Sequence, residues 1–195
     1  MTKKILLAID CQFGFLEGGK LGVDGATDIM NNLCDTINTK GLDDYEAVVA
    51  TVDWHPTDHC SFKENGGIWP THCTQHSHDA AIYEPLLNLL SEKAKSFIIL
   101  TKGTDSDHEE YSIFKNAESC EKLVNMVNRL GIEEIDVAGI AYDYCVADSV
   151  KDGLRALPNV KFNVLKNFCP AIAEKSANEF TKFIEETERV CLMEG

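Results

Sequence analysis

An aspartate, a lysine and a cysteine, each suited to amide hydrolysis, follow three apolar segments that are far apart in the chain. They are Asp10, Lys102 and Cys145. The segments have the composition of buried strands, and the carboxyl ends of neighbouring parallel strands face one crevice. The three side chains can therefore meet there, where they would supply a proton carrier, a stabiliser of negative charge and a nucleophile.

Cys145 differs from the other cysteines because it lies between a predicted strand and an amphipathic helix. The dipole and free N–H groups of a helix start favour a thiolate, so we expect its pKa to fall from ~8.5 toward neutrality. The same N–H groups can hold the oxyanion of a tetrahedral intermediate. A metal-ligand role stays open for Cys60 and Cys73. Inert packing is expected for Cys11, Cys34, Cys120, Cys169 and Cys191.

Asp10 and Lys102 each end a strand that reads as buried, and a buried aspartate usually needs a partner. In such a pair Asp10 would take the thiol proton of Cys145 and later deliver it to departing ammonia. Lys102 would hold Asp10 in place and offset the negative charge that develops during attack. The alternative is a structural ion pair, which position alone does not separate from catalysis. The thiol favours catalysis.

A second group of polar residues indicates a metal site beside the thiol. Asp53 and His55 project to the same side if their strand continues, and His72 follows a loop that can fold back on them. One carboxylate and two imidazoles suit one divalent ion with open positions, zinc first, with iron or manganese as alternatives. His59 and Glu64 are candidates for a further ligand, and the sequence does not choose between them.

Strand-like and helix-like segments alternate along the 195 residues, which predicts an α/β fold with a mostly parallel sheet covered by helices on both faces. No repeat or linker interrupts this alternation, so we predict one domain over residues 1–195. The irregular stretch 53–80 is long enough to suggest a functional loop. The predicted strands are Ile5–Ile9, Glu46–Val52, Phe97–Leu100, Ile135–Ile140, Val160–Leu165 and Arg189–Met193. The predicted helices are Ala26–Thr39, Pro85–Leu90, Ser119–Leu130, Cys145–Leu157 and Glu174–Glu186.

The charge of the chain limits its partners. Eighteen basic and thirty-two acidic side chains give a net charge of -14, which argues against nucleic acid and against an anionic membrane surface. No segment is long enough to span a bilayer. Scattered cysteines without CxxC pairs, and no export signal, predict free thiols in the cytoplasm. A homo-oligomer stays open.

Four pieces of the sequence follow one another in order over nearly the whole chain. They are Asp10–Phe15 (D-x-Q-x-D-F), Asp53–Pro56 with Trp69–Cys73 (D-x-H-P and W-P-x-H-C), Lys102–Thr104 with Tyr111–Phe114 (the lysine segment) and Gly139–Val146 (G-x-A-T-D-x-C-V). Together they resemble the motifs of the nicotinamidase branch of the isochorismatase-like cysteine hydrolases. Two positions depart from those motifs. Gly14 stands where Asp is usual, and Tyr142 stands where Thr or Ser is usual, so a bulky phenol is expected to reshape the pocket rim.

The resemblance implies a three-layer α/β/α sandwich with Rossmann-like topology. It also implies a non-proline cis peptide at Ile140–Ala141 that turns the Ala141 N–H toward the oxyanion. The remaining roles that it implies are a triad of Asp10, Lys102 and Cys145, a metal held by Asp53, His55 and His72 with the nicotinamide ring nitrogen on it, and ring contacts from Phe15, Trp69 and Tyr111.

The activity that the resemblance implies is hydrolysis of nicotinamide to nicotinate and ammonia through a cysteine thioester, as part of NAD salvage. A water ordered by the metal would cleave the thioester, and pyrazinamide should also be a substrate. Two alternatives stay open. One is another amidohydrolase of this fold, acting on a different small amide without metal. The other is a catalytically silent protein that binds a small molecule.

Overall fold

The computed structural model describes residues 2–194, and their strands form one parallel six-stranded sheet in the order β3-β2-β1-β4-β5-β6. This order reverses direction beside β1, as in doubly wound α/β proteins. The prediction of an α/β fold with Rossmann-like topology is confirmed, although the sheet is entirely rather than mostly parallel. The strands are β1 (Lys4–Ile9), β2 (Tyr45–Asp53), β3 (Phe97–Lys102), β4 (Glu134–Gly139), β5 (Lys161–Leu165) and β6 (Val190–Met193).

Five α-helices cover both faces of the sheet, which gives three layers. Successive side chains of β1 point to opposite faces. Leu7 therefore packs with α3, α4 and α5, whereas Leu6 packs with α1 and α2. A strand that is buried on both faces reads as a continuous apolar run, and this explains why β1 and β2 are visible in the sequence. The helices are α1 (Ala26–Lys40), α2 (Glu84–Lys93), α3 (Ala117–Leu130), α4 (Ala147–Ala156) and α5 (Glu174–Glu185).

Two helix starts differ from the sequence prediction by two residues. Helix α3 begins at Ala117 rather than Ser119, because the side chain of Asn116 caps it by accepting a hydrogen bond from the Ser119 N–H at 3.1 Å. The predicted helix from Cys145 is divided into a π-helical turn, Tyr142–Val146, and α4. Such turns are frequent at functional sites.

Residues 54–83 connect β2 to α2 and contain a short 3-10 turn, Lys63–Asn65, in an otherwise irregular path. This connection corresponds to the predicted functional loop. Within residues 2–194, no helix combines the length and the apolar character that crossing a membrane requires. The prediction of one domain over residues 1–195 includes Met1 and Gly195, which lie outside the described residues, and it stays a prediction.

Candidate functional site

Asp10 lies directly after β1 and is completely buried at the carboxyl edge of the sheet. Its N–H donates to the Thr51 carbonyl of β2 at 3.1 Å, and its Oδ1 accepts a hydrogen bond from Thr51 Oγ1 at 2.7 Å. Its φ of 49° is left-handed, a conformation that aspartate tolerates better than most residues. The neighbouring strand therefore fixes both the backbone and one oxygen of Asp10.

Lys102 ends β3 and is also buried. Its Nζ lies 2.9 Å from Asp10 Oδ2, forms a short contact with Asp53 Oδ1, and lies 3.5 Å from Cys145 Sγ. Among the described residues Oδ2 accepts no hydrogen bond of regular geometry, and its neighbour is the Lys102 ammonium. Asp10 Oδ2 is thus free to accept a proton from a nearby group.

Cys145 lies in the π-helical turn after β4, and its side chain is buried at the base of a cavity. Its Sγ lies within 4.8 Å of a carboxylate oxygen of Asp10 and of one of Asp53. The structure therefore brings together the three side chains that the sequence placed at strand ends. Their catalytic roles remain a prediction.

The expectation that the thiol pKa falls toward neutrality is wrong. Burial raises the pKa of Cys145 well above its usual value, and the charges of Asp10 and Asp53 add to this, while Lys102 opposes it. Burial likewise raises the pKa of Asp10, against the opposing charge of Lys102. Position at a helix start is visible in the sequence, but burial beside two carboxylates is not, and burial dominates.

Asp53, His55 and His72 form a second buried group next to the thiol. Their ligand atoms lie within 4.8 Å of one another, with Asp53 Oδ2 at 3.5 Å from His55 Nε2 and 3.9 Å from His72 Nε2. His55 Nδ1 donates to the Gly103 carbonyl at 3.0 Å, and His72 Nδ1 donates to the Pro70 carbonyl at 2.8 Å. Each ring therefore turns the Nε2 lone pair toward Asp53.

This donor set fits a divalent cation. Three acceptors that converge in a buried space repel one another unless a positive charge lies among them. Backbone carbonyls on the remote ring nitrogens are the usual support of metal-bound histidines, because they fix tautomer and ring orientation. Burial alone would raise the pKa of Asp53, but Lys102 and His55 lower it below its usual range, so it is a carboxylate. The group can hold zinc, iron or manganese.

Neither candidate for a further metal ligand joins this group. His59 Nδ1 lies 2.7 Å from Ser61 Oγ, and its Nε2 lies 3.1 Å from the His108 carbonyl. Burial lowers the pKa of His59 to about 4, so the ring is neutral. Glu64 is exposed, and its Oε2 accepts a hydrogen bond from Thr71 Oγ1 at 3.0 Å.

A cavity of about 370 Å³, including its open mouth, lies above the thiol and the metal-ligand group. All four residues predicted to contact the substrate line it, although their roles remain a prediction. Its wall is largely apolar and aromatic, with a few polar groups, as in many small-molecule sites. The lining residues are Phe15, Leu21, Asp53, Trp69, His72, Glu109, Tyr111, Ala141, Tyr144, Cys145 and Ile172.

Three aromatic side chains brace one side of the cavity. Trp69 Nε1 donates to the Tyr111 hydroxyl at 2.8 Å. The Tyr144 ring meets Trp69 edge-on at 5.2 Å and Tyr111 at 5.7 Å between ring centroids. Burial raises the pKa of Tyr111 to about 12, so its hydroxyl stays neutral. The result is a rigid apolar surface suited to a flat ring.

Ala141 lies at the start of the π-helical turn and lines the cavity. The peptide bond Ile140–Ala141 is cis, as the resemblance implied. The Ala141 carbonyl accepts hydrogen bonds from the N–H groups of Tyr144 and Val146, both at 3.1 Å. Within residues 2–194 the Ala141 N–H donates to no protein group. It is therefore available to a ligand in the cavity.

The expectation that Tyr142 reshapes the pocket rim is wrong. Its side chain is fully buried and does not line the cavity. The Tyr142 hydroxyl lies 2.9 Å from Thr181 Oγ1, and the ring packs against Phe180 of α5. The ammonium of Lys166 lies 3.2 Å from the ring centroid. The tight π-helical turn directs this side chain into the core instead of the site.

Several residues of the site were missed from the sequence. Gln12 holds the backbone of Asp53, because its Oε1 accepts from the Asp53 N–H at 2.8 Å and its Nε2 donates to the Asp53 carbonyl at 2.9 Å. The sequence feature that could have identified Gln12 was its position in the motif Asp10–Phe15. Tyr144 adjoins the thiol in sequence. Leu21, Glu109 and Ile172 lie in connections whose paths no pattern indicates.

The Isochorismatase domain family model matches residues 4–169. The chain is 31% identical to nicotinamidase of Escherichia coli, over 95% of this chain and 91% of that protein. It is 33% identical to nicotinamidase/pyrazinamidase of Mycobacterium tuberculosis, over 78% and 79%.

Solved structures agree with these relatives. Pyrazinamidase of Pyrococcus horikoshii in complex with zinc superposes with a TM-score of 0.83 at 25% identity, over 99% of both chains. PnC1 from L. infantum in complex with nicotinate superposes with a TM-score of 0.85 at 27% identity, over 98% of this chain and 92% of that one. The chain therefore belongs to the isochorismatase domain family, on the branch that includes these nicotinamidases.

Proposed function

We propose that this protein is a nicotinamidase, which hydrolyses nicotinamide to nicotinate and ammonia in NAD salvage and also accepts pyrazinamide. The observation that carries this proposal is the buried thiol beside an acid–lysine pair, at the base of an aromatic cavity. The names of the relatives support the same activity, and nicotinate bound to the L. infantum protein supports a small pyridine ligand.

The cavity would bind the pyridine ring flat against three of its aromatic side chains, Phe15, Trp69 and Tyr111. Asp53, His55 and His72 would hold the divalent metal, which supplies a Lewis acid that the ring nitrogen can bind. These contacts would place the carboxamide carbon over Cys145 Sγ. Holding the reacting atoms in one orientation is a major part of the rate enhancement.

In the first half of the reaction, Asp10 Oδ2 takes the proton of Cys145. The sulfur forms a bond to the amide carbon, and the electron pair of the C=O bond moves to the oxygen. The N–H groups of Ala141 and Cys145 stabilise this oxyanion. Asp10 then gives the proton to the amide nitrogen, the C–N bond breaks, and ammonia leaves behind a thioester.

In the second half, Asp10 takes a proton from a water molecule as the water oxygen attacks the thioester carbon. The C–S bond breaks as the C=O bond re-forms, nicotinic acid leaves and loses its proton to solvent to become nicotinate, and the proton on Asp10 passes to the sulfur of Cys145. Throughout both halves the Lys102 ammonium offsets the negative charge that moves between Asp10 and the sulfur. The lysine contacts both groups and needs no movement to do this.

We further propose zinc as the metal, which the zinc complex of the P. horikoshii relative supports. Iron and manganese remain alternatives that metal analysis of the purified protein decides. The proposed location is the cytoplasm. All eight cysteines lie within residues 2–194 and are free thiols, as expected in a reducing compartment. The net charge of -14 supports a protein that binds neither nucleic acid nor membrane. A homo-oligomer remains open.

Ammonia release from nicotinamide, pyrazinamide and a linear amide tests the proposal. We expect the wild type to release ammonia from both ring amides, and Cys145→Ala to lose at least 1000-fold in rate. Turnover of the linear amide alone, unaffected by chelators, would identify a different amidohydrolase. Equally negligible rates for wild type and Cys145→Ala would identify a silent binding protein.

A further inference from the structure

Glu110 is a buried carboxylate that lies outside the cavity and pairs with no cation among the described residues. Its Oε2 accepts hydrogen bonds from the Gly103 N–H at 2.7 Å and from Asn116 Nδ2 at 3.1 Å. Asn116 caps α3, so the carboxylate lies near the positive end of that helix. Burying a carboxylate without a cation costs free energy, so the hydrogen bonds that Glu110 accepts must offset this cost.

Gly103 connects Glu110 to the metal-ligand group. Its carbonyl accepts the hydrogen bond from His55 Nδ1 at 3.0 Å, while its N–H donates to Glu110. Its φ is +62°, and a Cβ at this position would lie 2.3 Å from His55 Cε1. Only glycine fits here, because the imidazole occupies the space that any side chain would need. The conformation of Gly103 therefore determines where the His55 ring lies.

Side chains hold the loop after β3 at residues 103–104, whereas backbone hydrogen bonds hold it on either side, from the Trp54 N–H to the Lys102 carbonyl at 2.9 Å and from the Cys60 N–H to the Ser106 carbonyl at 2.7 Å. Asn116 Nδ2 also donates to Thr104 Oγ1 at 3.1 Å, so Glu110 and Asn116 together tie residues 103–104 to the start of α3. The His55 Nδ1 hydrogen bond to a carbonyl requires a proton on Nδ1, so Nε2, which faces Asp53, is the nitrogen left for a metal. Loss of the Glu110 carboxylate would release the glycine turn, and the ring would lose this orientation.

We propose that Glu110 is a positioning residue for the metal ligand His55, acting through the two hydrogen-bonding groups of Gly103. This inference rests on the proposed function only in naming His55 as a metal ligand. Removal of such outer-shell support typically costs about 10- to 100-fold in metal affinity. A purely structural role would lower thermal stability without changing the His55 tautomer or the affinity for zinc.

The test compares Glu110→Ala with the isosteric Glu110→Gln, whose amide oxygen can still accept from Gly103 and Asn116. We expect Glu110→Ala to bind zinc at least tenfold more weakly in competition with a chelator, and Glu110→Gln to recover most of the affinity. Asp107→Ala, an exposed carboxylate on the same segment, is the matched control and should bind zinc as the wild type does.

A second measurement is independent of metal and of activity. Nitrogen NMR of the metal-free proteins, at a pH high enough for the His55 ring to be neutral, should report one His55 tautomer, protonated on Nδ1, in wild type and Glu110→Gln, and a mixture in Glu110→Ala. Unchanged zinc affinity and one tautomer in Glu110→Ala, even with a lower melting temperature, would overturn the proposal. If Glu110→Ala does not fold, Asn116→Ser keeps a capping residue, removes one support of Glu110, and should shift both readouts in the same direction by a smaller amount.

A wild-type protein that binds zinc but releases no ammonia from nicotinamide would remove the proposed function and leave this inference intact. If the wild type binds no zinc, the tautomer measurement alone decides whether Glu110 positions the His55 ring. A single tautomer in the wild type that persists in Glu110→Ala then counts against Glu110, whatever the substrate proves to be.

Discussion

The site consists of two halves that are held in place in different ways. The strand half contains Asp10, Asp53 and Lys102, and the sheet positions each of them, since Asp53 lies opposite Lys102 in the register between β2 and β3. The loop half contains Trp69 and His72. Individual side-chain and backbone hydrogen bonds position these residues, such as that from His72 Nδ1 to the Pro70 carbonyl. Backbone hydrogen bonds between strands form with almost any residue, whereas the loop contacts depend on particular residues.

This difference determines how each half should respond to mutation. In the strand half the backbone hydrogen bonds of the sheet survive a side-chain substitution. The loss of stability therefore comes mainly from the buried charges that are left unpaired. In the loop half the loss of one hydrogen bond releases a segment of backbone, so small changes should alter ligand geometry more than stability. Substitutions of matched size in the two halves can therefore test the comparison.

The largest effect is expected for Lys102→Met in the strand half. Methionine fills similar space but leaves two buried carboxylates, Asp10 and Asp53, without their cation. Breaking a buried ion pair on one side typically costs about 3–5 kcal/mol of stability. We also expect kcat/KM for nicotinamide to fall about 1000-fold or more, because the charge that supports proton transfer is lost.

Urea unfolding and ammonia release measure these two effects on the same protein. Lys122→Met is the matched control, since Lys122 is an exposed lysine paired with Glu118 on the surface of α3, and it should change neither. Wild-type stability together with lost activity in Lys102→Met would mean that the pair is not what stabilises this edge of the sheet.

The strand half was also the more predictable from sequence. Asp10, Asp53 and Cys145 follow the apolar runs of β1, β2 and β4, and such runs are visible because a central parallel strand is buried on both faces. Lys102 ends β3, which is an edge strand and only partly buried, and its apolar run was visible as well. The predicted strands and helices match the observed ones to within a few residues, and the largest difference, at α2, lies at the end of a short helix. A strand end, once located, places its side chain at the crevice without further information.

The contacts of the loop half and the pKa values of the site were harder to predict from the sequence. Gln12 holds the Asp53 backbone, and Glu110 supports Gly103, through contacts that span many residues and follow no period. The pKa of Cys145 was predicted in the wrong direction because its burial between carboxylates arises from tertiary packing. Tyr142 was misplaced because the resembling motif predicted its side chain at the pocket rim, whereas the π-helical turn directs it into the core.

An intermediate effect on stability is expected for a substitution at Gly14, which lies beside Asp79. The Asp79 side chain holds the chain near His72. Asp79 Oδ2 accepts from the Cys73 N–H at 2.8 Å, and its Oδ1 accepts from the Lys20 N–H at 3.2 Å. A Cβ on Gly14 would lie 2.8 Å from Cys73 Sγ and 2.9 Å from Asp79 Oδ2. The Asp79 carboxylate thus lies close to where an aspartate at position 14, usual in the resembling motif, would extend.

Because Gly14 and Asp79 lie so close together, the effects of substituting them should be coupled. Gly14→Asp alone should destabilise by about 1–3 kcal/mol through overpacking and like charge. Together with Asp79→Ala, the loss should be smaller than the sum of the single losses by about 1 kcal/mol or more. Urea unfolding of the four proteins measures this coupling, and Gly14→Ala separates steric effects from charge. Strictly additive losses would show that Asp79 does not occupy the space of a residue-14 carboxylate.

The smallest effect is expected for Trp69→Phe, which removes one hydrogen bond of the loop half, from Trp69 Nε1 to the Tyr111 hydroxyl. A neutral hydrogen bond contributes about 1 kcal/mol, so KM for nicotinamide should rise about fivefold while kcat changes little. Trp54→Phe is the matched control, because Trp54 lies outside the cavity lining and packs against His76. A fall in kcat with unchanged KM would instead mean that Trp69 acts on the reacting groups, and that the loop half orients the transition state as directly as the strand half does.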